Sequence, residues 1–170
     1  MKPILKVGVV AAGYLASFLI ASAAVAIRVA NTSGPDAQAA SGMYAFGDAA
    51  LFVAVFGLAA LVPTAGALWL LRPYRRFWTV LSGLALLVAI TGVAAAILFV
   101  VGRHAVAPST LATWASLSVL RILASPLLAL SFVLFGLLAP DRAPRLVFLA
   151  AAAMEVGVSA CGWAIWIFSR

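Results

Sequence analysis

Five long apolar runs, parted by short stretches of proline, glycine and charge, set the pattern of the chain; they cover about 7–28, 49–71, 79–101, 111–138 and 146–168. Each comes up to or exceeds the roughly 20 residues an α-helix needs to cross a hydrocarbon core about 30 Å thick. The pattern predicts an all-α, polytopic transmembrane helical bundle of five spans, a single integral membrane domain over residues 1–170. A cleaved signal peptide is the rival reading of the first run, since Ala21, Ser22, Ala23 and Ala24 cluster where a peptidase would cut. That run is longer than the apolar core of about 7 to 15 residues in such peptides, so it is expected to stay as a helix.

Small residues mark faces within these runs. Gly13, Ser17 and Ala21 recur every fourth position of the first, and Ala153, Gly157 and Cys161 do the same in the fifth. Stripes of this kind let another helix approach closely, within the chain or in a homo- or hetero-oligomer. Pro63 is expected to kink the second run near Ala59, and Pro126 to free the carbonyl of Ile122 in the fourth.

The connections are short. Asn31-Thr32-Ser33 has the form of a glycosylation sequon, and Gly34-Pro35-Asp36 is a turn signal. Asp48, at the entrance to the second run, reads as the N-cap of its helix; the alternative is an outer polar cluster in which it meets Arg28 or Arg103. Arg72, Arg75 and Arg76 crowd the second connection, and Arg142 and Arg145 the fourth. These two share Leu-x-Pro-x-Arg, but Pro63 and Pro126 do not align at that offset, so the echo does not establish a repeat.

Composition agrees with the pattern. The 170 residues are 66% hydrophobic and 9% charged, with a mean hydropathy of +1.21, too little polar surface to coat a soluble globule. A net charge of +7 invites a nucleic-acid reading, but the basic residues sit at the ends of the runs and form no polar, aromatic-interleaved face. They read instead as topology signals facing anionic headgroups, so the expected partners are membrane lipids and not nucleic acid. Lys2, Lys6, Arg72, Arg75, Arg76, Arg142 and Arg145 fall on one side, against Arg28, Arg103 and Arg170 on the other. By the positive-inside rule the N-terminus lies inside and the C-terminus outside. Nine arginines against two lysines, with abundant alanine, suggest a GC-rich bacterial genome and so a bacterial cytoplasmic (inner) membrane.

Candidate chemistry is sparse. Cys161 is the one cysteine, which excludes an intrachain disulfide, and His104 has no companion at ligand spacing, so no metal or other cofactor is expected. No nucleophile, zinc or phosphate-loop motif occurs, and no catalytic residue is assigned; Glu155 with Tyr14 is the acid/base pair an intramembrane enzyme would have to use. What remains is charge inside the apolar runs. Trp114, Ser118, Arg121 and Ser125 share one face of the fourth, while Glu155, Ser159, Gly162 and Trp166 share one face of the fifth. An arginine at mid-span costs roughly 2.5 to 3.5 kcal/mol on insertion scales, so it should face protein or water. Either Arg121 and Glu155 pair, or Glu155 is neutral and bonded to Tyr14, Ser17 or Ser131 while Arg121 snorkels outward.

Two functions follow from these faces. In the first, the protein is a small transport or permease component for an anionic solute or lipid, with Trp114, Ser118, Arg121, Ser125, Glu155 and Ser159 lining the pathway. In the second, the charges are a buried registry pair within a structural or accessory subunit of a larger membrane complex. Intramembrane charge is functional by default, which puts transport ahead at this stage.

Overall fold

A computed structural model describes residues 3–32, 41–102 and 110–168, and all of its regular structure is helical. The helices are α1 (Pro3–Ala30), α2 (Ser41–Leu71), α3 (Arg75–Gly102), α4 (Thr110–Leu138) and α5 (Arg142–Phe168). All five are long and apolar enough to cross a membrane. Their surfaces are inverted relative to a soluble protein. Val62, Leu87, Leu117, Leu137 and Leu146 stand exposed, whereas Ser17, Ser82, Ser118, Ser125 and Glu155 are buried.

Several helices begin before their apolar runs. α2 starts at Ser41, so Asp48 lies in its second turn and is not the N-cap; the unpaired N–H groups of this helix belong to the residues that follow Ser41. Likewise α3 starts at Arg75 and α5 at Arg142, because hydropathy marks the lipid-matched part of a helix while caps and turns mark its ends. α1 ends where the sequon begins. The N–H of Asn31 returns to the carbonyls of Ile27 and Arg28, while the Asn31 side chain donates to the Ile27 carbonyl and the Thr32 hydroxyl to that of Arg28, each at 2.8 Å. Pro63 and Pro126 both lie within unbroken helix. Thr64, beside Pro63, donates to the Ala60 carbonyl at 2.6 Å.

The chain divides into two compact units, residues 1–70 and 71–170. The first is an antiparallel pair of α1 and α2. Its small-residue stripe is the contact: Ser17 and Ala21 are buried, and a Cβ on Gly13 would stand 2.8 Å from Cβ of Pro63. Tyr14 and Thr64 share a hydrogen bond of 2.8 Å one residue along, and Phe18 meets Phe52 edge to face.

The second unit packs α3, α4 and α5 against one another. Ser82, Ala85, Ala89, Gly92 and Ala95 form the buried face of α3, small enough to admit both partners. One end is closed by aromatic rings: Trp78 and Phe148, both without exposed surface, meet edge to face at 6.2 Å, and Phe135 joins Phe148 at 5.7 Å. At the same end Arg145 reaches back from the first turn of α5 to the carbonyls of Gly136 and Ala139, at 3.1 and 3.3 Å. A cation there satisfies acceptors that the end of α4 would otherwise leave open.

Candidate functional site

The buried charge sits between the three helices of the second unit. Arg121 and Glu155 form a two-pronged ion pair, Nη2 to Oε1 at 2.5 Å and Nη1 to Oε2 at 3.1 Å. The parallel prongs match the planar guanidinium to the carboxylate and fix direction as well as distance. Three further contacts complete the arginine. Nη1 donates to the Ser125 hydroxyl at 3.2 Å, Nη2 to the Val88 carbonyl at 2.8 Å, and Nε to the Thr91 hydroxyl at 3.3 Å. A guanidinium has five N–H donors, and each here has an acceptor. Glu155 has no exposed surface, and the Arg121 side chain keeps 21% of its own.

Register explains how residues at different depths meet. Gly136 lies against Phe148 and Leu149, and Gly162 against Ile122. Both contacts place Arg121 level with the turn near Gly162, roughly 11 Å along α5 from Glu155 at 1.5 Å per residue. The arginine closes that distance with its own length, running down α4 toward Ser125 before it turns to the carboxylate.

Gly92 makes the third wall. A Cβ at this position would stand 2.8 Å from Nη2 of Arg121 and 3.2 Å from Oε1 of Glu155, so the pair occupies the space a side chain would fill. Sequence reasoning did not assign Val88, Thr91 or Gly92 to this site. The visible signal was Thr91-Gly92, a hydroxyl beside an absent side chain in the middle of an apolar run; a backbone carbonyl such as that of Val88 has no sequence signature.

The other candidate residues divide. Ser125 belongs to the site, while Ser118 is buried and returns its hydroxyl to the Trp114 carbonyl at 2.8 Å. The Trp114 side chain is exposed, and Ser159 donates to the Glu155 carbonyl at 3.0 Å. Tyr14 pairs with Thr64 in the first unit, Ser17 donates to the Gly13 carbonyl and Ser131 to that of Leu127, so the alternative partners of Glu155 are bonded elsewhere. A cavity of about 500 Å³ does open in the second unit, but of the expected pathway residues only Ser159 lines it.

At the α1–α2 pair, Arg28 forms an ion pair with Asp48, donates to the Tyr44 carbonyl at 3.3 Å, and lies over the Tyr44 ring at 5.4 Å. The second reading of Asp48 therefore replaces the first, and Arg103, the third member of the expected cluster, lies outside the described residues. Among the described residues no three His, Cys, Asp or Glu side chains converge as a metal site would require. The sequence matches no protein-family model, no curated protein and no solved structure.

Proposed function

We propose that this is an integral protein of a bacterial cytoplasmic membrane, N-terminus inside, acting as a structural or accessory subunit of a larger membrane assembly. One observation carries the reading: the guanidinium of Arg121 spends all five N–H groups on the protein itself, and its carboxylate partner is fully enclosed. A charge so bonded holds three helices in register and leaves no donor for a solute. The role then falls to outward surfaces, which are apolar and carry open small-residue positions such as Gly83 and Gly157, with nothing within 4 Å of a Cβ at either.

Transport of an anionic solute or lipid is the second reading. The residual 21% exposure of the Arg121 side chain, beside the exposed Thr91, favours it. Arg121→Met, Glu155→Gln and the double variant separate the two. Each single change strands a buried charge or a carboxamide among charge partners, and should cost roughly 3 to 5 kcal/mol; the double variant should recover much of it. Melting in mild detergent and mass spectrometry of copurifying subunits are the measurements. A stable double variant that keeps its partners supports the registry role. A stable double variant that loses a solute-induced thermal shift present in the wild type would transfer the pair to transport.

The orientation has its own test. In a Cys161→Ser background, single cysteines replacing Arg76 and Arg142 should react only with a reagent that reaches the cytoplasm. Labelling of both from outside would reverse the topology.

A further inference from the structure

We propose that the cavity between α3, α4 and α5 holds one acyl chain of a membrane lipid. The inference rests on the membrane placement above and not on the role of the ion pair. At about 500 Å³ the space is within the roughly 300 to 1,000 Å³ typical of ligand sites. Its walls include Phe99, Val119, Ile122, Leu123 and Pro126, all hydrocarbon or aromatic. Gly162 contributes a wall without a side chain; even a Cβ there would stand 2.7 Å from Cγ2 of Ile122.

The chemistry of the lining selects the occupant. Ser159 is its polar side chain apart from the two indole N–H groups, and its hydroxyl already donates to the Glu155 carbonyl. The neighbouring guanidinium and carboxylate are closed on each other. A charged or strongly polar ligand would lose its hydration here without compensation, whereas a hydrocarbon chain gives up nothing.

Position narrows the choice. Glu155 stands midway along α5, Ser159 about 6 Å beyond it and Trp166 about 16 Å beyond, at 1.5 Å per residue. The cavity thus runs from near the midplane to the tryptophans of the interfacial belt, along the path of a single chain whose headgroup lies beside the indoles. Leu123, Trp163 and Trp166 are more than half exposed, so the mouth opens on the outer face, where acyl chains are the solvent.

The test uses the full chain in nanodiscs containing a phosphatidylcholine with a diazirine near the end of one acyl chain. After irradiation, crosslinks should concentrate on the peptides spanning 119–126 and 159–166. Val119→Trp, which fills the cavity from an exposed position, should lower them roughly tenfold. Leu117→Trp, the same change on α4 away from the cavity, should leave them unaltered. If Val119→Trp does not fold, Leu123→Trp fills the same space from a more exposed site. Even labelling over all exposed faces of α4 and α5, or labelling indifferent to the filling variant, overturns the proposal, as does a change of oligomeric state in Val119→Trp alone, since a protein segment would then be the occupant. No labelling at any position would instead refute the membrane placement.

Discussion

At the scale of single residues, the site depends on an absence. Gly92 admits the ion pair because it has no Cβ. The atoms such a Cβ would meet are the far ends of the Arg121 and Glu155 side chains, which can yield only by loosening the five hydrogen bonds that hold the guanidinium. Gly92→Ala should therefore destabilise the protein by about 1 to 3 kcal/mol, read as a lower melting temperature in detergent. The same change should become nearly neutral in the Arg121→Met, Glu155→Gln background; an equal loss in both backgrounds would show that Gly92 serves helix packing and not the pair. Sequence alone made Arg121 and Glu155 conspicuous, because charge in an apolar run has few places to go. It could not reveal which helix supplied the remaining acceptors, since the Val88 carbonyl exists at every residue and only the fold selects it.

Among elements, the five spans and where each one stops were legible from hydropathy, whereas most of their starts were not. The polar turns at Ser41–Asp48 and Arg142–Arg145 are helical, held by the Arg28–Asp48 pair in one case and the Arg145 cap in the other. Small-residue stripes were legible but ambiguous. Gly13-Ser17-Ala21 is the packed face of α1, whereas Gly157, on an equivalent stripe of α5, meets open space, because α5 turns Phe148, Ala151, Glu155 and Val158 inward instead. In an alanine-rich chain such stripes arise on several faces at once. The contrast predicts opposite signs for the same substitution. Gly13→Ala drives a Cβ into the rigid Pro63 ring and should cost about 1 to 3 kcal/mol. Gly8→Ala, with nothing within 4 Å, should be neutral or stabilising by up to about 1 kcal/mol from helix propensity. Thermal melts of the two variants side by side check this, and equal losses would contradict the α1–α2 contact.

For the whole molecule, the ion pair imposes an order in time. Arg121 leaves the ribosome 34 residues before the carboxylate that neutralises it. At roughly 5 to 20 residues per second, α4 exists for about 2 to 7 seconds as a span carrying an uncompensated guanidinium. Its Val88 and Thr91 acceptors on α3 are already made, but the charge itself has no partner until α5 follows. On insertion scales that charge disfavours the bilayer by roughly 2.5 to 3.5 kcal/mol, enough to hold the span at the insertion machinery or among its lipids only intermittently. Nascent chains truncated before Glu155 should therefore integrate α4 poorly, chains extended past α5 should integrate it well, and Arg121→Leu should abolish the difference. The helix that follows is then what commits α4 to the membrane, and a ribosome that stops short of Glu155 leaves α4 with its charge unanswered.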